Sequence, residues 1–507
     1  MEFTVFETAK RSKVSTSERV PAEVDGWILF LPPSAKKDGK WDDALGFLSA
    51  TERADLAGYV KRFGFKPKAE QVASFDQSAA RRTVLSVLPD TAEMFFYLET
   101  ARKGLEPLRE AKARRIAVDL RACSTGAALL AEAVVAANAA LAFEAKQYGE
   151  ESKEDKEDKA PFPELIFVAP RGTVLDLSAL RSTVETACGT DLVRYLSGLA
   201  GNDLTPTRYV ALATKLAKEH GLKTVFHSLE KLEKLKAGAF LAVAQASDDR
   251  GAGILKISYT PSKASKRVAL VGKGITFDTG GTQLKAGEHM FGMNGDMGGS
   301  AVALALVLLA QKQKWPWEVH AYLAIAENAI GPKSYKPNDI VKTMRGKTIE
   351  VVDSDAEGRM VLSDTLWLAG KDKPDLMMDF ATLTGACLRA IGTSFSGAYS
   401  NRPDWIGKII DSGKRSGERV WPFPGDADYG RCLKSDIADL KQCRLTGGSD
   451  HIEAGYFLSQ FIPEKTPWLH VDLSAAESEE GLAHVPSKIT GFGVRFASEF
   501  LRSVLEA

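Results

Sequence analysis

The chain is predicted to be an α/β protein: a smaller N-terminal α/β domain, then a larger C-terminal domain whose mainly parallel, mixed sheet is flanked by helices. Three observations lead there. Short apolar runs of strand length alternate with helix-length segments along the chain, the order from which layered α/β domains are built. At 507 residues the chain exceeds the size at which a single core keeps growing, so two domains are expected. Two apolar runs also end directly in charged clusters, VGKGITFDTGG (Val271–Gly281) and VVDSDAEGR (Val351–Arg359). Open α/β sheets place their sites in the crevice beyond the carboxyl ends of their strands.

In residues 1–170, the expected N-terminal domain, Gly26–Pro32, Arg115–Leu120 and Leu165–Pro170 read as buried strands. Between them Thr125–Phe143 is alanine-rich and favours helix. The run KQYGEESKEDKEDK (Lys146–Lys159) mixes charges with almost no apolar residue. It reads as a mobile solvated loop, with a partner-binding arm as the alternative. A helix near 173–199 would link to the second domain, 171–507. Thr207–Gly221 follows the start signal Thr205-Pro206. Leu229, Leu232 and Leu235 recur at helical spacing and need only core packing. Strands are expected at Thr224–Phe226, Leu255–Tyr259, Arg267–Val271, Val319–Ala326, Thr348–Val352 and Leu376–Phe380. Ala301–Leu309 is apolar nearly all round and should form a buried helix.

Composition narrows the function classes. Lys+Arg and Asp+Glu both number 66, so the net charge is zero, which offers no electrostatic attraction for nucleic acid or an anionic membrane. The five cysteines are scattered and odd in number, without a CxxC pair. That argues against a disulfide framework and for a reducing compartment. The first twenty residues carry charges throughout, and the longest apolar run, Ala301–Ala310, is far below the roughly 20 residues of a membrane span. A cytoplasmic protein is expected.

The charged clusters carry the chemistry. Gly272, Gly274, Gly280 and Gly281 are expected to break the strand Val268–Val271 into a tight loop presenting Lys273, Asp278 and Lys285. The second run presents Asp353, Asp355, Glu357 and Arg359, and Asp296 lies between, in NGDMGGS. Carboxylates brought together repel and raise one another's pKa; a dication removes that cost, and oxygen ligands suit hard or borderline metals. Lys273 can ligate only as a neutral amine, well below its usual pKa of about 10.4. Simpler readings exist for each residue alone: Asp278 as a turn residue, Asp353 and Asp355 as helix caps, Lys273 and Lys285 as solvated lysines. They explain neither a lysine between glycines nor the charge density after buried strands.

GKGITFDTGG, MNGDMGGSA, DSDAEGR and DFATLTGA occur in this order and resemble the signature of the leucyl aminopeptidase family, the M17-type cytosol aminopeptidases. RYLSGLAGNDLTP, GAFLAVAQAS and AENAIGPKSYKPNDIV extend the resemblance over most of the chain from about Asp191. It implies a metal-dependent aminopeptidase that releases N-terminal residues, preferably leucine or similar apolar ones, from short peptides. It implies two divalent metal ions (zinc, manganese or cobalt). Asp278 and Glu357 would bridge them, Lys273 and Asp296 would complete the tighter site, and Asp355 the more exchangeable one. Lys285 would stabilise the gem-diolate. Arg359 would hold a bicarbonate as general base, helped by backbone around Ala356, Gly358 and Leu383; a plain salt bridge to a neighbouring carboxylate is the other reading for Arg359. Met293 would line the first-residue pocket together with Asp296 and Lys285, or serve as ordinary core. A homohexamer is implied as well.

The sequence also departs from the family. Asp353 stands where Asn is usual, GGSDHIEAGYFLSQF (Gly447–Phe461) replaces a more glycine- and alanine-rich segment, and the tail GLAHVPSKITGFGVRF differs from the commonest form. His289 reads as a loop residue, since there is no HExxH. Two other classes compete with the peptidase: a binding protein that keeps the fold, disfavoured by the intact ligand set and zero charge, and a two-metal phosphoesterase, disfavoured by Lys273 at a ligand position.

Overall fold

The computed structural model describes residues 13–32, 45–63, 69–78, 81–123, 125–143, 148 and 162–506. The charged run Lys146–Lys159 lies outside them except for Tyr148. The chain forms two compact units, one comprising residues up to Cys188 with Glu480–Lys488, the other Gly189–Glu479 with Ile489 onward. The boundary falls inside the helix Leu177–Ser197, within the stretch where a linking helix is expected.

The first unit holds a six-stranded sheet of β1 (Val14–Thr16), β2 (Gly26–Leu31), β3 (Val72–Ser78), β4 (Arg81–Val87), β5 (Arg115–Asp119) and β6 (Glu164–Val168), in the order β1-β6-β5-β2-β4-β3. All its pairings are parallel except β3 with β4. Every residue of β2 is buried because both faces are covered. Ile28 and Phe30 join Leu98, Leu105 and Val134 on one face. Trp27, Leu29 and Leu31 join Leu48 and Leu56 on the other, the period of two that a pleated strand imposes. The alanine-rich segment forms the helix Ala127–Leu141, as its propensity predicts.

The second unit is built on an eight-stranded mixed sheet. Its strands are β7 (Lys223–Ser228), β8 (Gly253–Tyr259), β9 (Arg267–Asp278), β10 (Glu318–Asn328), β13 (Leu376–Ala381), β14 (Ser396–Ser400), β15 (Val420–Pro422) and β17 (Trp468–Asp472). The order is β15-β14-β17-β13-β9-β10-β8-β7, and β17, β13, β9 and β10 run parallel to one another. A separate sheet joins β11 (Ile340–Lys342), β12 (Thr348–Glu350) and β16 (Leu440–Lys441).

Two expectations are corrected here. The glycines after Val271 do not end the strand: β9 runs on to Asp278, so Lys273 and Asp278 stand on a strand and the loop begins at Thr279. The glycines serve close packing instead. A Cβ on Gly272 would lie 2.4 Å from the Gly299 carbonyl oxygen and from Ser300 Cα, in the first turn of the helix Gly298–Gln313. Thr348–Glu350 forms its strand in the small sheet, not the large one, pairing with β11 and β16.

The helix Gly298–Gln313 is buried from Gly298 to Ala310. Gly287–Gln313 is the one stretch among the described residues with the length and apolarity of a membrane span, and its burial against the sheet accounts for that composition. Leu229 and Leu232 are buried on the short helix Leu229–Lys234, as their spacing requires. Gly272→Ala should cost about 1–3 kcal/mol, the usual range for overpacking, because both sides of the contact are backbone and cannot move aside. Its denaturation midpoint, compared with that of the unaltered protein, checks this.

Candidate metal centre

Three segments converge at the end of β9. That strand supplies Lys273 and Asp278. The short turn Met293–Gly295 leads into Asp296, just ahead of the helix Gly298–Gln313, and the loop 351–356 opens the helix Glu357–Gly370 with Asp355 and Glu357. Single ligand oxygens of Asp278, Asp355 and Glu357 all lie within 4.8 Å of one another. The Lys273 ammonium stands 2.9 Å from Asp296 Oδ2 and 2.7 Å from Glu357 Oε1, and donates to the Thr382 carbonyl at 3.0 Å. Lys285 reaches Asp278 Oδ2 at 2.9 Å and Asp355 Oδ1 at 2.6 Å. Gly358 is required at this point, since a Cβ there would lie 2.7 Å from Lys273 Cε.

Hydrogen bonds hold the carboxylates in place. Asp278 Oδ1 accepts from the Gly280 N–H and from Asn328 Nδ2, both at 2.8 Å. Asn328 Nδ2 also donates to the Ser354 carbonyl, which ties the two acidic segments together. Thr382 Oγ1 donates to Asp296 Oδ1 at 2.6 Å. Other oxygens lack such support: Asp296 Oδ2, Asp355 Oδ1 and Glu357 Oε1 are buried without a well-formed hydrogen bond and face only ammonium charge. Burial, mutual repulsion and these orphan oxygens together make a chemically suitable seat for divalent cations.

The electrostatics have one cause. Burial raises Glu357 to about 8, with Asp278 adding repulsion and Lys273 opposing it. Burial and neighbouring acids raise Asp296 and Asp355 to about 6. For Lys273, burial pulls the pKa down, but Asp296, Glu357 and Asp278 outweigh it and the ammonium is held charged. The same balance raises Lys285. The two lysines therefore supply part of the positive charge that the acids require.

The remaining expected residues fall around a cavity of about 860 Å³ lined by Lys273, Asp278, Lys285, Met293, Asp296, Asp355, Glu357 and Leu383. Met293 is partly exposed there, so it is not ordinary core. His289 lies exposed at the same cavity. Asp353 Oδ1 accepts the Asp355 N–H at 2.9 Å, a turn contact that an Asn side chain could equally make. Arg359 is buried, and its guanidinium is engaged: Nη1 donates to the Gln442 carbonyl at 3.0 Å, and Nη2 to both oxygens of Asp450 at 2.9 Å. Arg359 thus forms an ion pair, with Asp450, 91 residues further on, and not with a carboxylate of its own acidic run. The Leu383 N–H donates to Asp472, and the Ala356 N–H to the Asp353 carbonyl.

Residues 191–497 match the profile of the cytosol aminopeptidase family, catalytic domain. The chain belongs to the cytosol aminopeptidase family. It is a metallo-exopeptidase, a hydrolase of the leucyl aminopeptidase type. A probable cytosol aminopeptidase of Prochlorococcus marinus is 33% identical over 489 residues, 94% of this chain and 97% of that protein. One from Persephonella marina is 39% identical over 302 residues, covering 59% of this chain and 61% of the relative. Among solved structures, a tomato leucine aminopeptidase variant superposes with a TM-score of 0.83 at 27% identity, covering 97% of this chain and 96% of its own. The bottromycin maturation enzyme BotP in complex with Mn gives 0.78 at 27% identity, over 95% and 99%. The α/β architecture, with its six-stranded and eight-stranded sheets, is like that of leucine aminopeptidase.

Several members of this aminopeptidase site were not singled out from sequence. Asn328 and Thr382 sit within the motifs AENAIGPK and DFATLTGA, so a signal for them existed. Asp450 lies in the departing GGSDHIEAG segment. Gln442 has no motif, yet its side chain accepts from the Val352 and Asp353 N–H groups and donates to the Ala356 carbonyl, clamping the acidic loop.

The raised carboxylates have a consequence for stability. A group whose pKa is higher folded than unfolded contributes stability at low pH that is lost as pH rises through the folded value. In chelator, the melting temperature should therefore fall between about pH 5 and pH 8 as Asp296, Asp355 and Glu357 ionise. Added manganese should abolish most of that fall at pH 8, because cation binding favours the ionised forms. Thermal unfolding with and without metal across that range is the measurement.

Proposed function

We propose that the enzyme releases N-terminal residues, leucine or similar apolar ones first, from short peptides at a two-cation centre. The single observation carrying this is the convergence of Asp278, Asp355 and Glu357 within 4.8 Å, with Asp296 and Lys273 against Glu357 and the centre open to the cavity. Asp278, Asp296, Asp355 and Glu357, with Lys273 in its neutral form, would hold the two cations. The ions, zinc, manganese or cobalt, would act as Lewis acids on water and substrate carbonyl and would bind the free α-amine, which limits the enzyme to chain ends.

The residues of the chain do the rest. With cations among these carboxylates, Lys273 would be favoured in its neutral form, able to act as a ligand. Lys285, at the edge of the cluster, would direct its charge at the oxygen of the scissile carbonyl as negative charge develops there. Met293 offers a flexible thioether surface to apolar first side chains; Phe291 and Leu284, exposed along the same cavity, extend that apolar wall. The resemblance assigns the general base to a bicarbonate on Arg359, beside Ala356, Gly358 and Leu383.

Residues 1–170 form the non-catalytic domain in this reading, and 171–507 the di-metal peptidase. A homohexamer rests on the resemblance alone. A cytoplasmic location is supported by the name that relatives carry.

The test is hydrolysis of a leucine-linked chromogenic amide by metal-stripped protein, with manganese, cobalt or zinc restored. Activity should return only with metal and be lost in Lys273→Ala and Asp355→Ala. Lys285→Ala should retain metal yet lose about 10²–10³-fold in kcat, the cost of one charge-stabilising donor. Folded, metal-loaded protein that is silent on the amide but hydrolyses a phosphate ester would sink the reading.

A further inference from the structure

Two of the three guanidinium nitrogens of Arg359 already have partners. Nη2 donates to both Asp450 oxygens, and Nη1 donates to the Gln442 carbonyl. The Leu383 N–H is held by Asp472, and the Ala356 N–H by the Asp353 carbonyl. Only Nε of the guanidinium is without a partner. An anion reaching Nε would lie beside the Asp450 carboxylate, with Glu357 also close enough to act on the guanidinium. Like charges at such range repel strongly in a buried site. The residues here do not fit a bicarbonate while Asp450 keeps its contact.

Asp450 itself has the attributes of the missing base. It opens the helix Asp450–Ser459 and lines the cavity that Glu357, Asp355 and Lys285 also line. Its side chain keeps 34% of its surface exposed, whereas Arg359 keeps 3%. Both carboxylate oxygens thus accept from a buried guanidinium while part of the side chain stays exposed at the cavity. It belongs to neither acidic run, so it is not consumed as a ligand.

We infer that Asp450, held by Arg359, supplies from the chain itself the carboxylate that would otherwise be a bound bicarbonate, and is the general base of the hydrolysis. The inference rests on the aminopeptidase reading. Asp450 accepts a proton from the attacking water as the water oxygen bonds to the carbonyl carbon. The same proton passes to the departing nitrogen as the C–N bond breaks, and Asp450 returns to its ionised form. One water is consumed per peptide bond, and no other co-reactant is needed.

The test compares the metal-loaded full chain with Asp450→Ala and Asp450→Asn, in carbonate-free buffer and with added bicarbonate. The unaltered enzyme should turn over equally in both. Asp450→Ala should lose about 10²–10³-fold in kcat with little change in KM, within the usual range for a general base, and bicarbonate should restore much of it saturably. Asp450→Asn should lose as much and not be rescued, since its amide fills the seat; being isosteric, it also guards against a folding failure in the alanine variant. A readout independent of turnover is broadening of the carbon-13 bicarbonate signal, expected with Asp450→Ala protein and not with the unaltered chain. Saturable bicarbonate activation or bicarbonate binding in the unaltered protein would overturn the inference, as would full activity in both variants. If the unaltered protein shows no metal-dependent hydrolysis, the aminopeptidase reading fails separately, and the binding signal still decides who occupies Arg359.

Discussion

Burying four carboxylates in one place is unfavourable unless positive charge is buried with them, and much of the second unit is arranged around that requirement. Asp278, Asp296, Asp355 and Glu357 come from three separate segments, and Lys273 and Lys285 reach into them. Each acid raises its neighbours' pKa, and burial adds to the effect. Two ammonium groups meet the need only partly, because three carboxylate oxygens stay without a well-formed hydrogen bond. A site that is costly in this way favours any dication that can enter it. The unfavourable electrostatics of folding and the affinity for metal are one quantity seen from two sides.

The architecture meets this requirement through backbone proximity. Strand β9 lies centrally, paired on both sides by parallel strands. Its glycines let the helix Gly298–Gln313 press against the strand backbone, which carries Asp296 up to Lys273. Gly358 leaves room for the Lys273 stem in the same manner. Asn328 and Gln442 then act as clips: one joins Asp278 to the acidic loop, the other joins that loop to the segment carrying Asp450. The geometry of the centre is therefore set by short polar side chains on neighbouring elements, not by the acids themselves.

The contact between Arg359 and Asp450 changes what the centre has to borrow from solution. A guanidinium with open donors would recruit a small anion, and its chemistry would then depend on the concentration of that anion. An internal carboxylate is present at every turnover and is held by a charge-assisted hydrogen bond within a buried setting. Asp472 plays a parallel part at the next strand end, taking the N–H groups of Leu383 and Thr384 that could otherwise face the cavity.

The sequence by itself determined the strands and helices that bury apolar surface, because periodicity and propensity act locally: β2, β5, β6, β8, β10 and β13 fall where apolar runs placed them. It marked the acidic cluster as well, since unusual residue types, a lysine among glycines and paired acids, are packed into short motifs. Meaning that depends on what lies opposite was not legible. The glycines after Val271 read locally as breakers, yet they extend β9, because the helix facing them is nearly 30 residues away in sequence. Thr348–Glu350 read as a strand, but its place in the small sheet was not legible, since strand partners are chosen by tertiary packing. Only the folded chain brings Asp450 to Arg359 across 91 residues. Local pattern is governed by short-range sterics and hydrophobic period, whereas pairing between distant polar groups is decided by which surfaces the whole core brings together.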